Sequence, residues 1–160
     1  MIRPITPEDS SMIITLAVAA GLFGENETDA LGKVLADYFA GNGDPADSWI
    51  IDDEDGETCG VAYSTPAPMT DGTWYVKMIA VQPDRQGSGR GMAIMQHIEL
   101  ALRASRQRVL LVETSGLPEF ERTRSFYVKC GFHEEARVRD FYKAGDDMVV
   151  FRKSLNGNSV

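Results

Sequence analysis

Cysteine is scarce in this chain: two residues in 160, Cys59 and Cys130, far apart in the sequence. That excludes a disulfide framework and the paired spacing of a zinc site, and it leaves buried, reduced thiols as the expectation. The two histidines, His97 and His133, have no partnering cysteines or second histidine nearby, so no metal is expected. No run of about 18 apolar residues occurs, and Met1-Ile2-Arg3-Pro4 lacks the charged-then-apolar order of a secretory signal. A soluble, cytoplasmic chain with no membrane partner is expected. Positive charge is the minority sign, with 16 Lys and Arg against 24 Asp and Glu and a formal net charge of −8. This balance argues against a nucleic-acid partner, because phosphate recognition rests on a basic surface. A cationic or neutral partner is easier to accept, and an anionic cofactor would need a local positive site.

What is present is a chain of one-domain length with 43% hydrophobic residues. Ile2 to Ile5 can form a short strand, and Thr6-Pro7-Glu8-Asp9 supplies an N-cap, a proline at the first helical position and two acids at the positive end of the dipole. A helix to about Phe23 should follow. A second is predicted over Thr28 to Ala40, where Leu31, Val34, Leu35, Tyr38 and Phe39 recur at helical spacing before Gly41-Asn42-Gly43. Trp49 to Ile51 and Thr58 to Ser64 read as a hairpin across an acidic turn, Asp52 to Glu57. Thr73 to Val81 reads as a strand rich in aromatic and β-branched residues. After Pro83 and a glycine-rich segment, a helix shows Ile94, Met95, Ile98, Ala101 and Leu102 on one face. Val109 to Val112 has the unbroken apolar character of a central strand. Pro118 to Lys129 reads as a helix stopped by Gly131. Phe132 to Tyr142 and Met148 to Leu155 are the last strands, and Asn156 to Val160 a frayed, disordered tail. The order implies an α/β fold over 1–155 as a single domain around one central sheet.

The chemistry concentrates at Gln86-Gly87-Ser88-Gly89-Arg90-Gly91. Glycines alternate with other residues just after a strand and open a helix, so backbone N–H groups can point at an anion without interference from Cβ atoms. A pyrophosphate is the natural guest, with Arg85 and Arg90 as local positive charge. The turn lacks the G-K-[ST] ending of a P-loop, and Ile94 holds the last position that G-x-G-x-x-G would require to be glycine.

The segment Met78-Ile79-Ala80-Val81-Gln82-Pro83 followed by Q-G-S-G-R-G resembles the signature Q/R-x-x-G-x-G/A of the Gcn5-related N-acetyltransferase (GNAT) family. About 40 residues on, Phe126-Tyr127-Val128-Lys129-Cys130-Gly131-Phe132 resembles that family's F-Y-x-x-x-G-F segment. The resemblance covers roughly Trp74 to Leu155; the earlier part matches in element order alone, in the region that shapes the acceptor pocket in the family. It implies the GNAT acyl-CoA N-acyltransferase fold, a mixed, mostly antiparallel sheet of about seven strands flanked by about four helices. It also implies acetyl-CoA as co-substrate, a small-molecule or protein amine as acceptor, and direct attack in a ternary complex. Many members carry an asparagine seven residues before the tyrosine. Here Phe120 stands there, and the role is not carried over.

The implied roles answer physical needs. An amine with a pKa of about 10.4 is almost wholly protonated at pH 7, so a base helps it attack. Glu113, at the end of the central strand, is the candidate, ahead of Glu134 and Glu135; a solvated strand-end carboxylate is the other reading. Family position places an oxyanion-stabilising β-bulge at Met78 and Ile79 and gives the main chain of Ile79, Ala80 and Val81 to the pantetheine amides. Gln86, Gly87, Ser88, Gly89, Arg90 and Gly91 receive the diphosphate. Tyr127 is the acid for the leaving thiolate, against the alternative of an ordinary apolar helix face. Phe23, Glu25, Glu27, Asp29, Tyr38 and Phe39 could line an acidic and aromatic acceptor pocket or be core and surface. A homodimer stays open, as does a catalytically weak module that binds or senses acyl-CoA.

Overall fold

The computed structural model describes residues 1–156; of the expected tail, 157–160 lie outside the described residues. The elements run β1 (Ile2–Pro4), α1 (Ser10–Ala19), α2 (Thr28–Phe39), β2 (Ser48–Glu54), β3 (Glu57–Pro66), β4 (Thr73–Val81), α3 (Arg90–Ala104), β5 (Val109–Ser115), α4 (Glu121–Lys129), β6 (His133–Lys143) and β7 (Asp146–Ser154). Among the described residues seven strands order as β1-β2-β3-β4-β5-β7-β6, a mixed sheet with four α-helices, as the family resemblance implied. Among the described residues, no helix is long and apolar enough to cross a membrane.

The described residues divide into two compact units, 1–66 with 78–98 and 67–77 with those from 99 onward. In the first, β1, β2 and β3 are antiparallel neighbours, and α1 and α2 cover them. Ile13, Leu16 and Ala17 of α1 and Leu31 and Leu35 of α2 pack with Trp49, Ile51, Val61 and Ala80 in one buried cluster. Fully burying one such leucine or isoleucine contributes about 1.5–3 kcal/mol. Val34, expected on that face, is exposed.

Two local expectations are corrected. The first helix closes before Phe23, because the N–H groups of Gly21 and Leu22 turn back onto Val18 and Ala17 carbonyls. The acidic hairpin turn is only Asp55 and Gly56; Asp52, Asp53 and Glu54 belong to β2 itself. Acids are tolerated in that strand because basic groups meet them: Arg90 pairs with Asp52 and Glu54, and Arg3 with Asp53.

In the second unit, β5 runs parallel to the first half of β4 and antiparallel to β7, and β6 pairs with β7. Leu110, Val112, Val149 and Phe151 are buried on these strands. Alternation along β5 buries Leu110 and Val112 while Leu111 and Glu113 stay partly exposed. Every residue of β6 is exposed, Val138, Phe141 and Tyr142 among them.

Candidate active site

Strand β4 delivers the chain to the glycine turn. Pro83 opens a 3-10 turn, Pro83–Arg85, after which Gly87 and Gly89 adopt φ of 81° and 86°. Both are left-handed values that side chains strain to reach. A Cβ at either glycine would meet nothing within 4 Å, so backbone conformation and open approach, not packing, account for glycine here. The side chains fold inward: Ser88 Oγ donates to Arg85 O at 2.7 Å, and Gln86 Nε2 donates to Val81 O at 3.1 Å. The first helical bond of α3 runs from Ala93 N–H to Gly89 O, so the N–H groups of Arg90, Gly91 and Met92 have no helical acceptor. This cradle of main-chain donors fits a diphosphate.

Arg85 and Arg90 flank the turn, but their charge is already engaged. Arg90 Nη1 lies 2.8 Å from Asp52 Oδ2, and Arg90 also pairs with Glu54. Arg85 reaches Glu54 at 2.7 Å and Glu57 at 2.8 Å. Burial raises Asp52, yet hydrogen bonds from Arg90 and the N-terminal ammonium outweigh it and hold the carboxyl below its ordinary value. Of the β4 residues proposed to line the co-substrate, Ala80 is buried and Met78, Ile79 and Val81 are partly exposed.

The second unit holds Tyr127 and Glu113. Tyr127 is 5% exposed, and its ring packs among Phe126, Phe132 and Phe151 at centroid distances of 5.5, 6.0 and 5.7 Å. Burial first, then the neighbouring Cys130 and Tyr142, push its phenol well above the usual tyrosine range. The group therefore keeps its proton at neutral pH. Glu113 sits on β5 opposite Val150, and its Oε1 lies 3.7 Å from Lys77 Nζ. The ladder of β4 with β5 pairs Thr73, Trp74 and Tyr75 with Val109, Leu110 and Leu111 and stops short of Val76 and Lys77. Glu134 and Glu135 are exposed on β6.

Sequence reasoning did not bring Lys77 or Tyr142 beside Glu113. Tyr142, though half exposed, is pushed up by the partial desolvation of its phenol and then by the charges of Glu113 and Asp146, so it shares an electrostatic neighbourhood with Glu113 and also with Tyr127. Only strand register could have found either, because neither belongs to a motif. Of the residues considered for an acceptor pocket, Tyr38 and Phe39 line an open groove of about 520 Å³ with Asp44 and Asp47. Glu25, Glu27 and Asp29 are exposed elsewhere, and Phe23 packs against the core.

The family model described as an acetyltransferase (GNAT) domain matches residues 44–134. A GNAT-family structure from Desulfovibrio desulfuricans is 31% identical, with 97% of this chain and 98% of that one covered and a TM-score of 0.91. The ribosomal-protein-S18-alanine N-acetyltransferase of Escherichia coli shares the fold at 18% identity, covering 99% and 96% of the two chains with a TM-score of 0.77. An aminoglycoside 6'-N-acetyltransferase complexed with coenzyme A does so at 12% identity, 100% and 99% coverage and a TM-score of 0.82. No curated protein sequence matches this chain.

Proposed function

This chain belongs to the GNAT family of acetyltransferases, and from that premise we propose that it moves the acetyl group of acetyl-CoA directly onto a primary amine in a ternary complex. The family establishes an acetyltransferase; the co-substrate, the acceptor class and the residue roles are our reading. The observation that carries it is the glycine turn, with two left-handed glycines, open approach and main-chain donors ahead of the first helical bond of α3.

The main chain of Gln86 to Gly91 holds the diphosphate, and that of Met78 to Val81 the pantetheine arm and the carbonyl oxygen. Because Arg85 and Arg90 are paired with carboxylates, backbone donors carry most of the anion recognition. When bound, acetyl-CoA supplies the activated carbonyl and the leaving sulfur. Glu113 accepts a proton from the acceptor ammonium, freeing the lone pair that forms the C–N bond as the C–S bond breaks. A thiolate has a conjugate-acid pKa of about 8.5, below that of a phenol at about 10. Tyr127, pushed higher still by burial, therefore stabilises the departing sulfur as a hydrogen-bond donor. The acceptor nitrogen thus loses two protons: the first goes to Glu113 before attack and on to solvent, and the second, lost as the C–N bond forms, neutralises the departing thiolate.

A cationic acceptor agrees with the excess of acids and with the groove that Tyr38, Phe39, Asp44 and Asp47 line. Two of the structural neighbours are named for ribosomal-protein alanine and for aminoglycosides as acceptors; both suit the broad class of amines. We read residues 1–155 as one cytoplasmic catalytic domain, since the family match spans parts of both compact units.

A thiol-release screen over amino acids, polyamines, aminoglycosides and peptide N-termini tests this, beside calorimetry with coenzyme A. Micromolar binding and amine-dependent release are expected. Binding without release for any amine would favour a sensing module instead, and no binding at all would end the acetyl-CoA reading.

A further inference from the structure

One carboxylate oxygen, Oε2 of Glu54, accepts from both arginines that bracket the glycine turn: Arg85 Nη1 at 2.7 Å, and Arg90 Nη2. The other guanidinium nitrogens go to Glu57, 2.8 Å from Arg85 Nη2, and to Asp52, 2.8 Å from Arg90 Nη1. All three acids lie on the β2–β3 hairpin, where Glu54 and Glu57 face each other across the two-residue turn. Three carboxylates thus share two guanidinium groups beside a turn shaped to receive an anion, and of the three only Asp52 has, among the described residues, a further cation, the N-terminal ammonium at 3.3 Å. The three acids are not equivalent. Asp52 is 9% exposed at its side chain and anchors the first residue of α3, whereas Glu54 and Glu57 are 47% and 58% exposed. Exposed ion pairs contribute little to stability, so these partners can exchange at small cost.

We propose that Glu54 sets the affinity for the diphosphate-bearing co-substrate by acting as an internal anion that competes with the ligand for Arg85 and Arg90. The inference rests on the acetyl-CoA reading above. A diphosphate docking on the turn meets guanidinium groups whose charge Glu54 already shares, and it gains their full attraction only as Glu54 is displaced to lie beside it as like charge. Co-substrate and product carry the same diphosphate, and the turn cannot tell them apart. A weakened grip therefore speeds release of coenzyme A after transfer, the step that often limits turnover. Because Glu54 is the shared acceptor, neutralising it frees one nitrogen of each arginine, while neutralising Glu57 frees one nitrogen of Arg85 alone.

Calorimetric titration with coenzyme A itself tests this on the wild-type chain, Glu54→Gln and Glu57→Gln, with thermal melts to verify folding. Kd should fall about three- to tenfold in Glu54→Gln and less in Glu57→Gln. The difference should shrink in about 0.5 M NaCl, where exposed charges are screened. In an Arg85→Gln background the gain from Glu54→Gln should diminish; a gain of full size there would show general charge repulsion and overturn the competition. An unchanged or weaker Kd in Glu54→Gln overturns the inference and leaves the acetyl-CoA reading standing. Failure of the wild-type chain to bind coenzyme A overturns both.

Discussion

Glu113 and Lys77 meet at 3.7 Å between Oε1 and Nζ, two residues beyond the last parallel rung, Tyr75 with Leu111. Lys77 Nζ also lies 4.1 Å over the Tyr75 ring, so the cation is held by its own strand as well as by the carboxylate. If Glu113 is the base, Glu113→Gln should lower kcat/KM about 10²-fold or more. Lys77→Met should leave most activity. Pre-steady-state and steady-state rates across roughly pH 6 to 9 check this; full rate in Glu113→Gln throughout that range would remove Glu113 from the mechanism.

Tyr127→Phe separates chemistry from packing. The ring contacts with Phe126, Phe132 and Phe151 survive the substitution, so the melting temperature should stay within a few degrees, while kcat should fall about 10²-fold. Loss of stability with unchanged kcat would identify the residue as core alone.

Gly60 tests how closely the first unit is packed beneath the turn. A Cβ there would stand 3.2 Å from Ala80 O and 2.6 Å from Ile94 Cδ1. Ile94 can swing away, but the Ala80 carbonyl belongs to β4 and cannot move freely. Gly60→Ala should cost about 1–3 kcal/mol of stability, or roughly 2–12 °C in Tm. A calorimetric melt indistinguishable from wild type would show that the sheet yields there.

Acid should unfold the first unit through Asp9 and Asp52. A hydrogen bond from Arg3 is the largest influence on Asp9 and holds it below its ordinary value; Asp52 is held down by Arg90 and the N-terminal ammonium against burial. Both folded values lie below the unfolded ones. Their stabilising contribution is therefore complete above about pH 4 and is lost as pH falls through the lower folded values. Urea titrations from about pH 5 downward should show the decline, and Arg3→Gln should flatten it. Equal acid sensitivity in that variant would exclude the Arg3–Asp9 pair as a cause.

Much of the fold was readable because its signals are local. Pro83, the alternating glycines and the apolar face of Ile94, Met95, Ile98 and Leu102 announce a strand, a turn and a helix within one stretch. Gly131 marked the end of α4 in the same way. The places that resisted are those where a distant partner overrode local preference. Asp52 looked like turn and proved to be strand, because Arg90 lies 2.8 Å away from a position 38 residues later in the chain. Glu113 was legible as a strand-end acid, but its pairing with Lys77 depends on the register of β4 against β5, which no nearby residue encodes.

By itself the sequence determined the element order, the glycine turn and the family motifs, since each depends on backbone preferences and spacings that act over a few residues. The tertiary structure alone decided which charges meet. Arg85 and Arg90 read as free cations for a phosphate, and only the folded β2–β3 hairpin sets Glu54 between them; electrostatic pairing follows distance in space, which chain order does not supply.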